Sequence, residues 1–528
     1  MSDSARRGFA AWPLYPFLFA IHPVASLLLG NVAKVPLSEI VGPLLLIEGV
    51  VLVVLLIARA VTGSWLRAAM YCFLIVILML YFQRFENGLK SVFGAEITDM
   101  IAIMSWLALW GLVTGLIGRS KSDFRVATMA LNAAAILFLI VPVSIIGYFN
   151  FQFLANRDAA IAAVNRPVPV LNKPTSGKLP DIWYLVPDRY ARGDVLKAQY
   201  AFDNSAFLDD LTRAGFQVLD QSAANYQRTG HSVSSTLNLD YLDAISAVTG
   251  PQSMDWVILY RLLADFKVWR ALKPLGYAYS HFGSWWTPTA YNALADHNIN
   301  WKVVPTFQRF LWGHSLPGRI AGAAGWRAMD DRRIQCERIA YKFDKLRELA
   351  AQKTAPKFVF AHLLMPHPPF VLRADGSCLS LEQARSRSRR DNYIDQVRYT
   401  NDQLRRLIAV IQAQSEREAI IIVQADEGPW PQRFAGDELT LGLDTNPIEW
   451  GDLSDAELRE KMAILHAIYL PANDRPLLPA TSTPVNTFRL IFRRWFGADL
   501  PALADENHIY LDDQHVYDFR RVTERLRE

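Results

Sequence analysis

The chain has 528 residues, 51% hydrophobic and 20% charged, with a mean hydropathy of +0.10, which is too apolar for an ordinary soluble enzyme of this size. Its net charge of +4, from 55 basic and 51 acidic side chains, comes without a basic cluster interleaved with aromatics, which argues against nucleic acid as a partner. Three cysteines exclude a disulfide framework and a zinc–cysteine cluster: Cys72 lies in an apolar run, and Cys336 and Cys378 can pair only in an oxidising compartment.

The apolar excess sits in the first 150 residues, where runs such as "GPLLLIEGVVLVVLLIARAV" predict membrane helices at about 11–30, 38–60, 65–82, 97–118 and 126–149. The first run is not a cleavable signal, because no small-residue cleavage site follows it and four more spans do. Arg6 and Arg7 precede the first span, Arg59 and Arg67 separate the second and third, and Arg119, Lys121 and Arg125 separate the fourth and fifth. The opposite loops hold Lys34, Arg84 and Lys90, diluted by Glu86 and Glu96. The positive-inside rule therefore makes the first set cytoplasmic, and five spans place the rest of the chain outside. The expected organisation is a transmembrane domain (1–150), a linker (151–178) around "NRPVPVLNKPTSGKLP", and an extracytoplasmic domain (179–528).

In the outer half, short apolar runs at 182–186, 357–364, 419–424 and 466–470 read as buried strands. Helices are expected near 204–214, 256–272, 388–413 and 484–495. This alternation predicts an α/β domain with a mostly parallel central sheet covered by helices. Ligands in such sheets bind beyond the carboxyl ends of the strands.

Three strand ends carry candidate chemistry. "PDIWYLVPDRY" ends in Asp188, "FVFAHLLMPHPPF" in His367, and "IIVQADEGPW" in the adjacent acids Asp426 and Glu427. In "SAANYQRTGHSVSSTLN", Thr229 opens a hydroxyl-rich segment suited to a helix start, where free N–H groups attract anions. Asp188, Asp426, Glu427 and the Thr229 oxygen could share one divalent cation, which would compensate the paired acids and activate the hydroxyl as a nucleophile. His367 would bind substrate oxygens or protonate the leaving group. The bland readings are a helix cap for Asp188 and for Thr229, a solvated surface role for Arg228, and a core histidine with a satisfied partner for His362. The aromatics of "HFGSWWTPTAYN" and Trp312 fit an acceptor groove, a membrane-facing rim or core packing, and His281, His297 and His314 receive no role.

These segments resemble the sulfatase-like membrane branch of the alkaline phosphatase superfamily, which includes lipoteichoic acid synthases and phosphoethanolamine transferases. The resemblance covers about 175–515 and includes the tail "STPVNTFRLIFRRWFGADLPAL". It implies about five spans before an extracytoplasmic catalytic domain, with Asp188 and Asp426 as metal ligands, Thr229 as nucleophile, Arg228 and Ser232 on the substrate, and His367 as the substrate-side histidine. Two departures stand out. Thr229 replaces the Cys or Ser that sulfatases convert to formylglycine, as in phospho-transferring relatives, and Glu427 stands where the family has a metal-binding histidine. An all-oxygen set favours Mn²⁺, Mg²⁺ or Ca²⁺, with Zn²⁺ as the alternative.

The expected function is a multi-pass enzyme of a bacterial inner membrane, with its catalytic domain on the periplasmic or extracellular side. It would move a phosphoglycerol- or phosphoethanolamine-type group from a membrane phospholipid to an envelope glycan or lipid through a covalent Thr intermediate. A phosphate or sulfate ester hydrolase with the same site, or a catalytically silent scaffold, are the rival readings.

Overall fold

The computed structural model describes residues 12–94, 98–174, 177–324, 330–353, 356–415, 417–436, 438–440, 449–471 and 478–527; Arg6, Arg7 and Glu96 of the charge argument lie outside them. The chain divides into two compact units, one of residues 1–155 and 304–330, the other of 156–303 and 331–528.

In the first unit, helices run over Tyr15–Leu29, Ser38–Thr62, Trp65–Leu80, Phe82–Phe93, Asp99–Arg119 and Arg125–Asn165. Ser64 and Thr98 cap the third and fifth through their hydroxyls, and Gly63, left-handed at φ 69°, ends the second. Among the described residues, three of these helices are long and apolar enough to cross a membrane, or four if Trp65–Leu80 and Phe82–Phe93, bent by 61°, make one span. Tyr15–Leu29 is apolar but has only 15 residues. The expected linker is helical up to Asn165, because "FQFLANRDAAIAAVN" lacks a breaker before Pro167. Residues 304–330, expected in the outer domain, group with the first unit.

The second unit is built on a seven-stranded sheet: β1 (Asp181–Pro187), β2 (Phe216–Val218), β3 (Ala278–Phe282), β4 (His297–Ile299), β5 (Lys357–Leu363), β6 (Ala419–Gln424) and β7 (His466–Tyr469). The spatial order is β2-β7-β6-β1-β5-β3-β4, and β7 alone runs against the others. The expected mostly parallel α/β domain is therefore the observed one. Every residue of β1, β5 and β6 is buried, as in a parallel sheet covered on both faces. Their side chains join Val233 and Leu237 of helix Thr229–Asn238, Trp269, and Phe488, Ile491 and Phe492 of helix Val485–Phe496 in one core. The single helix expected over 256–272 is two, Val257–Ala264 and Lys267–Leu272, parted at the extended Asp265 and Phe266.

The Cys336–Cys378 disulfide ties helix Asp331–Ala350 to a turn after β5. Arg332 of that helix donates to the carbonyls of Phe370, Leu379 and Leu439. The segment following His367 is thus fastened at several points.

Candidate active site

The three central strands, β6, β1 and β5, carry the candidate acids and histidines at their carboxyl ends. In the β1–β5 register Val186 faces His362, and in the β1–β6 register Leu185 faces Val423. Counted onward, Asp426 comes level with Asp188, and both share a sheet face with His362, since side chains alternate with period two. One ligand atom each from Asp188, His362 and Asp426 lies within 4.8 Å of the other two, and all three residues are buried.

Two carboxylates in such a hole repel. Burial, then the neighbouring Glu427, push Asp188 up to about 7; burial and the facing Asp188 push Asp426 well above its ordinary range. The Thr229 side chain opposes the rise at Asp426 through a hydrogen-bonding interaction. Asp188 Oδ1 and Asp426 Oδ2 have no hydrogen-bond partner and are buried. Buried carboxylate oxygens left open in this way fit a cation. His362 is held for the same purpose: Nε2 is 3.1 Å from Asp188 Oδ2, and Nδ1 is 2.7 Å from the Thr289 hydroxyl, which meets Ser284 Oγ at 2.8 Å. A hydroxyl on the far ring nitrogen is the outer support that ligating histidines require.

Glu427 is not in this group, although its Oε2 too is buried without a hydrogen-bond partner. Its Oε1 accepts from Lys461 Nζ at 2.7 Å and from Arg189 Nε at 3.1 Å. Burial acts to raise its pKa, but Lys461, Arg189 and Arg228 outweigh it and hold Glu427 below the usual carboxylate value. Gly428 makes this contact possible, since a Cβ there would lie 2.1 Å from the Glu460 carbonyl oxygen. Arg189 takes a left-handed φ of 60°, which turns its N–H to Asp426 Oδ1 (3.3 Å) and its guanidinium to Glu427. The guanidinium carbons of Arg189 and Arg228 each lie 4.6 Å from the ring centre of Trp430, and Lys461 lies 5.6 Å from it. Arg228 also donates to Tyr510 Oη at 3.2 Å and sits 3.8 Å from Asp513.

Thr229 is the first residue of helix Thr229–Asn238, with Arg228 as the capping residue, so a helix N-terminus opens onto the carboxylates. The N–H groups of His231 and Ser232 both close on the Arg228 carbonyl; Ser232, one turn on from Thr229, is buried. His367 is half-buried and lies edge-on to Trp285, with its Nδ1–H donating to the Pro368 carbonyl. Burial, then the positive Arg189, lower its pKa well below the ordinary value.

Of the residues expected to form the metal site, the fold brings together Asp188, Asp426 and Thr229 and gives Glu427 to Lys461 and Arg189. It adds His362, whose satisfied partner proves to be the acid Asp188 itself. A histidine in an otherwise apolar strand, five residues before His367, was the available signal. Lys461 had none, lying at the end of the ordinary amphipathic helix Asp455–Met462.

A family model described as sulfatase matches residues 180–452, more than half of the chain. The chain belongs to the sulfatase family. No curated protein matches this sulfatase-family chain. Solved structures similar to it include the C-terminal periplasmic domain of EcEptC from Escherichia coli, at 15% identity and TM-score 0.39, over 63% of this chain and 87% of that one. The C-terminal periplasmic domain of the phosphoethanolamine transferase EptC from Campylobacter jejuni aligns at 13% identity and TM-score 0.37, over 61% and 90%. The integral membrane lipooligosaccharide phosphoethanolamine transferase A from Neisseria meningitidis aligns at 13% identity and TM-score 0.33, over 89% and 88%.

Proposed function

We propose that this sulfatase-family chain is a membrane-anchored phosphotransferase with Thr229 as nucleophile and one divalent cation held by Asp188, His362 and Asp426. The observation that carries this reading is the buried acid–histidine–acid group with two open carboxylate oxygens beside a threonine at a helix N-terminus. When bound, the cation supplies charge compensation for both acids and acidifies the nearby hydroxyl. With one imidazole and two carboxylates, Mn²⁺ and Zn²⁺ suit the donor set better than Ca²⁺.

Thr229 Oγ attacks phosphorus, the bond from phosphorus to the leaving oxygen breaks, and the phospho-substituent stays on the chain as an ester. The hydroxyl proton leaves to solvent and the departing oxygen takes one from solvent, so the first half-reaction is balanced in protons. Arg228 and the first N–H groups of the helix hold the non-bridging oxygens. His367, kept neutral and donating through Nδ1, has its Nε2 lone pair available to take the proton of the incoming acceptor hydroxyl as that oxygen displaces Thr229. This would make it a base in the second half-reaction, a role besides the substrate binding or leaving-group protonation expected from the sequence.

The proposed donor is a membrane phospholipid and the acceptor a hydroxyl of an envelope glycan or lipid. The apolar helices would cross a bacterial inner membrane five times, with Tyr15–Leu29 and the bent pair each counted once, and residues 156–303 and 331–528 would lie outside the cytoplasm. The Cys336–Cys378 bond supports an oxidising compartment.

The test is to incubate purified full chain in detergent with Mn²⁺ and phosphatidylglycerol or phosphatidylethanolamine labelled in the phosphoryl group. Label should appear covalently on the protein and be absent from Thr229→Ala. Equal labelling of the variant would overturn the assignment of the nucleophile. Release to water with no transfer to any offered hydroxyl would favour the hydrolase.

A further inference from the structure

Residues 304–323 leave the sequence of the sheet domain between β4 and helix Asp331–Ala350, yet they belong to the membrane unit. They form two short helices, Thr306–Gly313 and Leu316–Ala323, folded tightly on each other. Ser315 caps the second helix and donates through Oγ to the Trp312 carbonyl at 2.6 Å. A Cβ on Gly318 would lie 2.1 Å from that same carbonyl oxygen, so only glycine permits the approach.

The hairpin lies across one end of the helix bundle. Phe307 is buried among Val24, Ala25 and Leu28 at the end of the first helix, with Ile40 and Leu44 at the start of the second packed alongside. Leu316 is buried among Leu78, Phe82, Ala102 and Ile103, at the end of the third helix and the starts of the fourth and fifth. All these positions are opposite the basic loops at Arg59–Arg67 and Arg119–Arg125, that is, at the outer end under the positive-inside rule. An ion-pair cluster locks the contact: Arg319 Nη2 donates to both oxygens of the fully buried Glu86 (2.5 and 2.6 Å), and Lys90 reaches the same carboxylate at 2.5 Å.

The side chains that the hairpin exposes are apolar apart from His314. Val304 is 53% exposed, Trp312 44% and Ile320 38%, beside the exposed Val41 of the second helix and Met100, Ile101 and Met104 of the fifth. From 304 to 323 there is no Asp or Glu, while Arg309 and Arg319 are both present. An apolar, tryptophan-bearing, acid-free surface continuous with lipid-facing helix sides is the signature of a segment at the headgroup–acyl boundary.

We propose that residues 304–323 are an interfacial hairpin that seals the outer end of the bundle and seats Val304, Trp312 and Ile320 in the outer-leaflet phospholipid. The occupant is lipid because this face continues the sides of helices that themselves cross the bilayer, a dependence on the membrane reading given above. The hairpin is a second membrane attachment, separated in sequence from the N-terminal helices by the first four strands of the sheet.

Site-directed spin labels test this in the full chain, reconstituted in phosphatidylethanolamine/phosphatidylglycerol vesicles, on a Cys72→Ala background. Labels go at Trp312→Cys and Ile320→Cys, with Leu52→Cys as the spanning control and Lys353→Cys as the aqueous one. The ratio of collision rates with oxygen to those with a water-soluble nickel chelate should be several-fold higher at 312 and 320 than at 353, approaching that at 52. Adding Gly318→Ala should lower it at 312 and leave it unchanged at 52. A ratio at 312 and 320 equal to that at 353 overturns the proposal, as does shielding from both reagents, which would mean a protein covers the face. If 52 is also water-exposed, it is the spanning reading that has failed.

Discussion

Replacing Asp426 by Asn and Glu427 by Gln, one at a time, should move the stability of the metal-free protein in opposite directions, although the two carboxylates are neighbours. Asp426 is raised well above its ordinary 3.8 by burial and by the facing Asp188, so without metal the folded protein holds a proton there more tightly than the unfolded chain does. A raised folded value gives stability that is present below pH 3.8 and lost as pH rises. Burying that carboxyl without a cation therefore costs stability at pH 7. Asn removes that cost and returns only about 1–3 kcal/mol through its unpartnered amide hydrogens, so the metal-free variant should be the more stable. Glu427 is the reverse case. Gln keeps an oxygen for Lys461 but no charge, which leaves a buried cation with only the neutral amide and the Gly428 carbonyl at 3.1 Å facing it, and removing one charge of such a pair costs about 3–5 kcal/mol. Saturating Mn²⁺ should raise the unfolding temperature of the wild type and of Glu427→Gln, worth about 2.7 kcal/mol at a hundredfold excess over Kd, and leave Asp426→Asn unmoved. The assay is thermal unfolding of the full chain in detergent, with EDTA or Mn²⁺, at one scan rate. If both variants fall together in EDTA and both lose the Mn²⁺ response, Glu427 is a ligand after all and the division of labour drawn here is wrong.

Two further predictions concern groups away from the metal. The Cys336–Cys378 bond closes 42 residues, for which the chain-entropy model gives about 4 kcal/mol; the double Ser variant should unfold at a correspondingly lower temperature, and dithiothreitol should lower the wild type but not the variant. Buried Glu460 accepts from Tyr200 Oη at 2.6 Å, and burial raises it from 4.5 to about 7. Its contribution is full below pH 4.5 and lost as pH rises through 7, so wild type should lose up to about 3.4 kcal/mol relative to Glu460→Gln across that window. A constant difference between the two from pH 4.5 to 8 would refute it.

The sheet was legible because its four central runs are short, apolar and bounded by polar or proline residues; the observed β1, β5, β6 and β7 lie within two residues of the expected positions. Strands β2 and β4 were not, since three residues carry no period to read. Asp188, Thr229 and Asp426 could be picked out because each stands where a strand or helix ends, and the ends of parallel strands converge. His362 stood out only as a histidine in an apolar strand and Lys461 not at all, because their partners are set by register between segments about 174 and 34 residues apart, and register depends on packing that a linear pattern does not encode. The hairpin at 304–323 was hidden for a similar reason: its aromatics are spaced as core residues are, and only docking against five other helices shows which of them remain outside.

The adjacent acids at the end of β6 pose a single problem with two solutions. Consecutive residues of an extended chain point to opposite faces, so Asp426 turns to the face shared by Asp188 and His362 while Glu427 turns to the one occupied by Lys461, Arg189 and Trp430. Each acid must then find its own cation. For Glu427 the protein supplies two, permanently, and its pKa is lowered. For Asp426 the described residues supply none in contact, and surround the position with a second acid and a neutral imidazole, so the pKa is raised instead. A fold that can neutralise a buried carboxylate with lysine and arginine, and does so one residue away, leaves the other unneutralised at the cost of stability. On the proposed function such a cost is worth retaining, because an external cation and an anionic substrate would meet there, and that asymmetry favours an active site over a silent scaffold, in which both acids would be paired or replaced.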